Sequence, residues 1–209
     1  MTSPRALAVD QCLDRARQLA NSGQRRVLGI AGPPAAGKGV VTERVLEALG
    51  SAAVQVPMDG FHLAEAELHR LGRHERKGAP DTFDAAGYVA LLRRIRAAGE
   101  TVYAPEFHRE VEESYAGSIA VPPDVPLVVT EGNYLLLDQG PFAAVRELLD
   151  EAWFLVPDDR ARVDRLVRRH VRHGRSPEAA REWVQRSDER NAELIARTRT
   201  RADVLVDPG

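Results

Sequence analysis

Apolar positions along the chain follow two rhythms. Compact apolar runs occur at 26–32 (RVLGIAG), 52–59 (AAVQVPMD), 125–132 (VPLVVTEG), 151–156 (EAWFLV) and 202–206 (ADVLV), with a shorter run at 101–105 (TVYAP). Near-continuous apolar runs of this length predict strands buried on both faces, as in a parallel sheet. Between them, apolar residues recur every three or four positions, the period of a helix packed on one side. KGVVTERVLEALG has this period and stops at Gly50. DTFDAAGYVALLRRIRAAG opens on an Asp cap, turns Tyr88, Leu91, Leu92 and Ile95 inward and stops at Gly99. Two further helical stretches, DDRARVDRLVRRHVRHG and SPEAAREWVQRSDERNAELIARTR, separate the last two strands. The second has Ser176 as cap and Pro177 in the first helical position. Residues 1–25 predict an amphipathic helix with Leu7, Val9, Leu13 and Leu19 inward.

Strands alternating with helices predict an α/β fold, a mainly parallel sheet with helices on both faces. Ligands of such sheets bind at the carboxyl ends of the strands. The residues that carry chemistry collect there: a glycine-rich loop after the first run, Asp59 after the second and Glu131 after LVVT. No internal repeat, low-complexity tract or linker divides the chain, so residues 1–209 are expected to form one domain.

Composition narrows the function classes. Net charge is −2, which gives no basic field for nucleic acid or an anionic membrane. Cys12 is the lone cysteine, which excludes a disulfide framework and a cysteine-based zinc cluster and suits a reducing, cytoplasmic setting. No apolar run is long enough to span a membrane, and the charged N-terminus does not resemble a signal peptide. Of 29 basic residues only Lys38 and Lys77 are lysines, so a lysine in a motif position is a stronger signal than usual.

One lysine occupies such a position. Gly32-Pro33-Pro34-Ala35-Ala36-Gly37-Lys38 has the spacing of a phosphate-binding loop, after a strand and before a helix. Backbone N–H groups at a helix N-terminus favour an anion, and Lys38 adds a mobile cation for the β- and γ-phosphates. The usual Ser or Thr after the lysine is absent: Gly39 and Val40 follow, and Thr42 lies a turn further on. A direct Mg2+ ligand is thereby lost, but Mg2+ commonly keeps several waters and takes only one or two carboxylates. Asp59 and Glu131 can supply these. Asp59, in VPMDGFH, is also placed to accept the proton of an attacking hydroxyl. Arg165, Arg169 and Arg172 share one helix face by three–four spacing and could clamp a transferring phosphoryl group. Trp153 and Trp183 read as core residues, and Asp188 and Asn191 lie one turn apart on a face that could meet the pocket.

In order along the chain, GPPAAGK, MDGFH, RKGAPDTFD, YAPEFHRE, VVTEGNYLL and RLVRRHVRHG resemble the phosphoribulokinase/uridine kinase group of P-loop kinases. Closest in look are bacterial pantothenate-kinase-like and fructose-transport-system-kinase-like proteins. The resemblance runs from about Arg26 to Val206. It implies a three-layer P-loop fold with a five-stranded parallel core and a helical lid over about 160–180. It also implies ATP-dependent phosphorylation, with Mg2+, of a hydroxyl on a small metabolite, by a monomer or homodimer. Lys38 then corresponds to the phosphate lysine within a nucleotide loop from Gly32 to Val40, Asp59 to the base and Glu131 to the metal-shell acid. Arg165 and Arg169 fall in the lid, and His62, Lys77, Tyr103 and Arg109 in segments that shape the acceptor pocket. Two departures stand out. Relatives carry Ser-Thr where this chain has Gly39-Val40, although adenylate kinases also have Gly after the lysine. His108 replaces the Asp of a P-x-F-D-R pattern. Two alternatives follow from Gly39: a catalytically weakened nucleotide-binding regulator, and a nucleoside monophosphate kinase. The second fits less well, because a phosphate acceptor needs no base at Asp59.

Overall fold

The computed structural model describes residues 4–208. Six parallel strands form the main sheet: β1 (Arg5–Ala8), β2 (Arg26–Ala31), β3 (Ala53–Gln55), β6 (Leu127–Gly132), β7 (Glu151–Leu155) and β8 (Val204–Asp207). Their spatial order is β1-β8-β7-β2-β6-β3. β2 lies at the centre, with Leu28 opposite Val129 on one side and Glu151 on the other. The strand carrying the phosphate-type loop is therefore flanked by β6, which carries Glu131.

Alternate side chains of the strands feed two cores. Val27, Val128, Ala152 and Phe154 pack on one face with Tyr88, Leu92 and Ile95 of helix α4 (Ala85–Ala97). Leu28, Ile30, Val129, Trp153 and Leu155 pack on the other face with α1 (Val9–Ala20) and α2 (Lys38–Leu49) through Cys12, Ala16, Val41 and Val45. Each fully buried Leu, Ile or Val contributes roughly 1.5–3 kcal/mol, so both layers hold the strand ends in place. All four residues predicted inward on α4 are buried, and Asp84 caps it by accepting from the Gly87 N–H at 2.8 Å. The helix ends on Ala98, at φ 51°, one residue before Gly99.

Four expectations need correction. The core has six strands, not five, because residues 5–8 pair with β8, Arg5 opposite Val204 and Ala8 opposite Asp207. The N-terminal helix is correspondingly shorter: Leu7 is buried from a strand, Leu19 from the helix, and Val9 and Leu13 are half-buried beside them. TVYAP is the start of a longer strand, β4 (Val102–His108). It pairs antiparallel with β5 (Glu113–Val121) in a hairpin outside the main sheet. β5 is mostly exposed, and its apolar residues are interrupted by Gly117 and Ser118, so it offered no continuous apolar run to detect. The run at 52–59 yields only three strand residues. Pro57 has no N–H for the ladder, and the chain turns into a 3-10 helix at Met58–Phe61.

Helices α5 (Asp159–Arg172), α6 (Pro177–Trp183) and α7 (Glu189–Ala196) follow β7, and the lid expected over about 160–180 falls on α5 and the start of α6; α3 (Glu65–Arg70) follows the turn after β3. Asp158 caps α5 and Ser176 caps α6, with Pro177 first in the helix. Buried Arg162 ties α5 to α7 through Glu189 at 2.7 Å. Trp153 is core, as expected. Trp183 is not: it is half-buried on the lid, with the Arg175 guanidinium 3.9 Å from its ring centre.

Candidate active site

The loop between β2 and α2 turns on Gly37, whose φ of 90° is one that side-chain-bearing residues rarely adopt. Lys38 opens α2 nearly buried. Its ammonium donates to the carbonyls of Gly32 (3.0 Å) and Pro33 (3.1 Å) and to Asn133 Oδ1 (2.7 Å). Burial lowers the pKa of Lys38, while Glu131 and Asp59 act against that shift. Asn133 was not singled out from sequence. The signal was available: it lies two residues after Glu131, so strand alternation turns both to the same side.

Gly39 follows on the first turn of α2, and a Cβ built there would meet no atom within 4 Å. Thr42 does not replace the missing hydroxyl: it is fully buried against the sheet, and its Oγ1 has no partner among the described residues. Gly37, Gly39 and Val40 line one cleft of about 370 Å3 with Pro34, Ala35 and Ala36. Gly32 and Pro33 shape the cleft through the carbonyls that hold Lys38.

Asp59 enters the same cleft from the 3-10 turn after β3. Gly60 lies directly against the hairpin: a Cβ there would fall 2.3 Å from the Pro105 carbonyl oxygen. Arg109, at the hairpin turn, places Nη2 3.2 Å from Asp59 Oδ2. His62 donates from Nδ1 to the Asp59 carbonyl at 2.7 Å, which leaves Nε2 unprotonated in the neutral ring. Its ring sits between Phe83 and Phe107, centres 4.1 and 4.6 Å away, and burial lowers its pKa.

Glu131 ends β6. Its neighbour Thr130 is locked by bonds to Tyr88 Oη and the Val56 carbonyl, both 2.6 Å. Burial, and next the charge of Asp59, push the Glu131 pKa up to about 7, while Lys38 and Arg109 pull it back. Two carboxylates facing one cleft, one destabilised by the other, form an all-oxygen donor set of the kind Mg2+ takes. The residues present therefore fit that ion without a loop hydroxyl.

Above the cleft, Arg169 of α5 is the lid arginine that lines it, with Asp188 and Asn191. Among the described residues the Arg169 guanidinium has no hydrogen bond or ion pair, and burial followed by Arg109 lowers its pKa. Arg165 lies outside on the rim, donating to the Ala35 carbonyl at 3.2 Å, and Arg172 is exposed and lines neither cleft. Asp188 closes a π-helical turn (Val184–Asp188) and accepts from His170 at 2.7 Å.

A second cleft of about 520 Å3 shares His62, Arg109 and Arg169 with the first. Lys77 belongs to this one and is bound by Glu65 at 2.5 Å and the Glu112 carbonyl at 2.7 Å. Tyr103 belongs to neither: it alternates outward between buried Val102 and Ala104 and is 59% exposed. Its assignment to the acceptor pocket is withdrawn. His108 also lines neither cleft, its ring tilted against Tyr115 with centres 4.5 Å apart.

Residues 27–209 match the phosphoribulokinase/uridine kinase family. An ATP-dependent kinase-like protein of Aspergillus versicolor is 35% identical over 162 residues, 73% of this chain and 94% of that protein. A candidate uridine kinase of Schizosaccharomyces pombe is 30% identical over 216 residues, 98% of this chain and 92% of that one. A solved structure of a candidate fructose transport system kinase from Silicibacter is similar with a TM-score of 0.84 at 32% identity, covering 96% of this chain and 98% of that one. Phosphoribulokinase from Rhodobacter spheroides, at 15% identity and a TM-score of 0.65, supports the fold alone, over 88% of this chain and 71% of that one. A loop lysine, a half-buried acid near the end of the neighbouring strand and an arginine of α5 over one cleft thus occur in a chain that belongs to the phosphoribulokinase/uridine kinase family and is an ATP-dependent small-molecule kinase.

Proposed function

We propose that the protein transfers the γ-phosphate of ATP to a hydroxyl of a small metabolite bound in the second cleft. The observation that carries this reading is the overlap of the two clefts at His62, Arg109 and Arg169, beside Asp59. A nucleotide on the loop side and an acceptor on the other would meet there.

In this reading the backbone of the loop and Lys38 hold the β- and γ-phosphates, and Arg169 offsets charge on the transferring group. Asp59 accepts the hydroxyl proton, held towards the acceptor by Arg109. Glu131, with Asp59, would hold Mg2+, which supplies charge neutralisation between the phosphate oxygens when bound. Arg165 contacts the loop from the rim and helps seat the lid, whose closure excludes water that would otherwise take the phosphate. His62 and Lys77 line the acceptor side. The clefts do not distinguish among a nucleoside, pantothenate and a sugar, so all three belong in the acceptor panel.

The test is ADP release from Mg2+ and ATP across a metabolite library, with native protein and Asp59→Asn in parallel. Turnover that depends on one acceptor and disappears in Asp59→Asn is expected. Full acceptor-dependent turnover in Asp59→Asn would refute the base assignment. Nucleotide binding without transfer to any acceptor would refute the kinase reaction itself.

A further inference from the structure

Away from the phosphate cleft, three metal-ligating side chains converge on a short turn. Glu65 and His69 are four residues apart on α3 and so share a face. Gly72, at φ 66°, reverses the chain after the helix, and a 3-10 turn at His74–Arg76 brings His74 back over His69. The two imidazoles stack with centres 4.1 Å apart and planes 16° off parallel. Glu65 Oε2 lies 2.7 Å from His74 Nδ1. One ligand atom from each of Glu65, His69 and His74 falls within 4.8 Å of the others.

We propose that Glu65, His69 and His74 bind one zinc-class divalent cation, at a site separate from the Mg2+–nucleotide cleft. Two imidazoles and one carboxylate are a three-ligand set suited to zinc, with a fourth position left for water. Tetrahedral coordination needs ligand atoms roughly 3.3 Å apart, so the two exposed histidines would turn out of their stacked arrangement to bind the ion. The donor chemistry separates this site from Asp59 and Glu131, whose all-oxygen set suits Mg2+.

The cationic side chains around the cluster are each paired with a carboxylate. Arg70 is paired with Glu67, and Arg73 and Arg76 with Asp81. Lys77 takes the other oxygen of Glu65 and is shared with Glu112, which leaves Oε2 for the metal. A bound ion would join α3 to the turn that leads into Lys77. It would thus stiffen the wall of the second cleft, which Glu65 and His74 line. The site does not depend on the proposed reaction.

The experiment is calorimetric titration of tag-free, metal-stripped protein with ZnCl2 in the presence of millimolar Mg2+, repeated for His69→Ala, Glu65→Gln and the lid control His170→Ala/His173→Ala. Titration with Co2+, followed by visible absorption, reports the geometry. One ion per chain is expected, with affinity falling at least about tenfold in His69→Ala and Glu65→Gln and unchanged in the lid control. Strong visible bands of tetrahedral Co2+ are expected to disappear in His69→Ala. Circular dichroism of each variant separates loss of the site from loss of the fold. Binding that survives His69→Ala, that is lost in the lid control, or that Mg2+ displaces would overturn the proposal.

Discussion

Arg109 and Asp59, fifty residues apart in sequence, meet at 3.2 Å where the antiparallel hairpin crosses the carboxyl end of β3. The pair is half open to solvent, so its contribution to stability is small. Its effect is positional: one Asp59 oxygen is held by the guanidinium. Arg109→Ala should therefore leave Tm nearly unchanged but lower kcat by about 10–100-fold, less than the 10²–10⁴-fold expected of Asp59→Asn. Arg109→Lys should restore part of the loss, because Lys retains the charge without the planar fork. Steady-state kinetics beside thermal melts checks this. A shift in Tm with unchanged kcat would show that the pair only stabilises the hairpin.

The position of Gly39 makes a clean test of the incomplete loop motif. A Cβ there meets nothing within 4 Å, so Gly39→Ser should fold normally, within about 0.5 kcal/mol of the native stability. In the proposed site, the added hydroxyl would join Glu131 and Asp59 as a ligand for Mg2+. The expected result is a lower KM for Mg2+–ATP with kcat changed by less than about threefold, since it adds binding shared by ground and transition states. A rise in kcat of two orders of magnitude would mean that the native loop is catalytically impaired.

Glu131 gives a pH dependence with a definite sign. Its pKa rises from an ordinary 4.5 to about 7 on folding, chiefly through burial and secondly through Asp59. The folded state thus binds the proton more tightly than the unfolded chain does. The stabilisation is complete below pH 4.5 and is lost as pH rises through 7. In the absence of Mg2+ and nucleotide, the Glu131 share of Tm should fall across that window. Subtracting the profile of Glu131→Gln, which cannot titrate, isolates it. If Glu131 holds Mg2+ as proposed, Mg2+–ATP selects the ionised form, so its affinity should weaken below pH 7 and binding there should release a proton, measurable by calorimetry in two buffers. Parallel melting profiles for native protein and Glu131→Gln would remove the carboxylate from this role.

The parts of the site visible in sequence are those fixed by backbone position. Lys38 and Asp59 follow strands and Glu131 lies next to the end of one, and strand ends are set by apolar runs that the sequence displays openly. The hairpin was less legible, because β5 is only partly buried and pairs with β4 alone. Tyr103 was misplaced for the same reason: only the pairing of β4 decides which of its faces points outward. β1 was absorbed into a helix because RALA is short and pairs at the sheet edge with residues about two hundred positions away. Asn133 and the contrast between Arg165 and Arg169 depend on side-chain direction, which three–four spacing leaves undetermined once several arginines share a helix.

Arg165 and Arg169 share a helix face, yet their surroundings separate their roles. Arg169 faces the cleft beside Arg109, with no ion pair of its own among the described residues, and both burial and that neighbouring charge disfavour its ionised form. An arginine kept charged under those conditions is poised for an anion, and the phosphates of a bound nucleotide would supply it. Arg169→Ala should leave the ligand-free protein as stable as the native one or slightly more so, because it removes a repulsion. It should lower kcat by about 10²-fold or more, as loss of a positive group on a transferring phosphoryl does. Arg165→Ala removes only a rim contact to the Ala35 carbonyl and should act mainly on KM for ATP, within about tenfold. Exposed Arg172 lines neither cleft, and Arg172→Ala should be silent in both parameters. The ordering Arg169, Arg165, Arg172 in kcat loss is the result to look for. Equal losses at all three positions would show that the lid acts through its net charge, and a greater loss at Arg165 would mean that the closed lid places a different arginine over the phosphates.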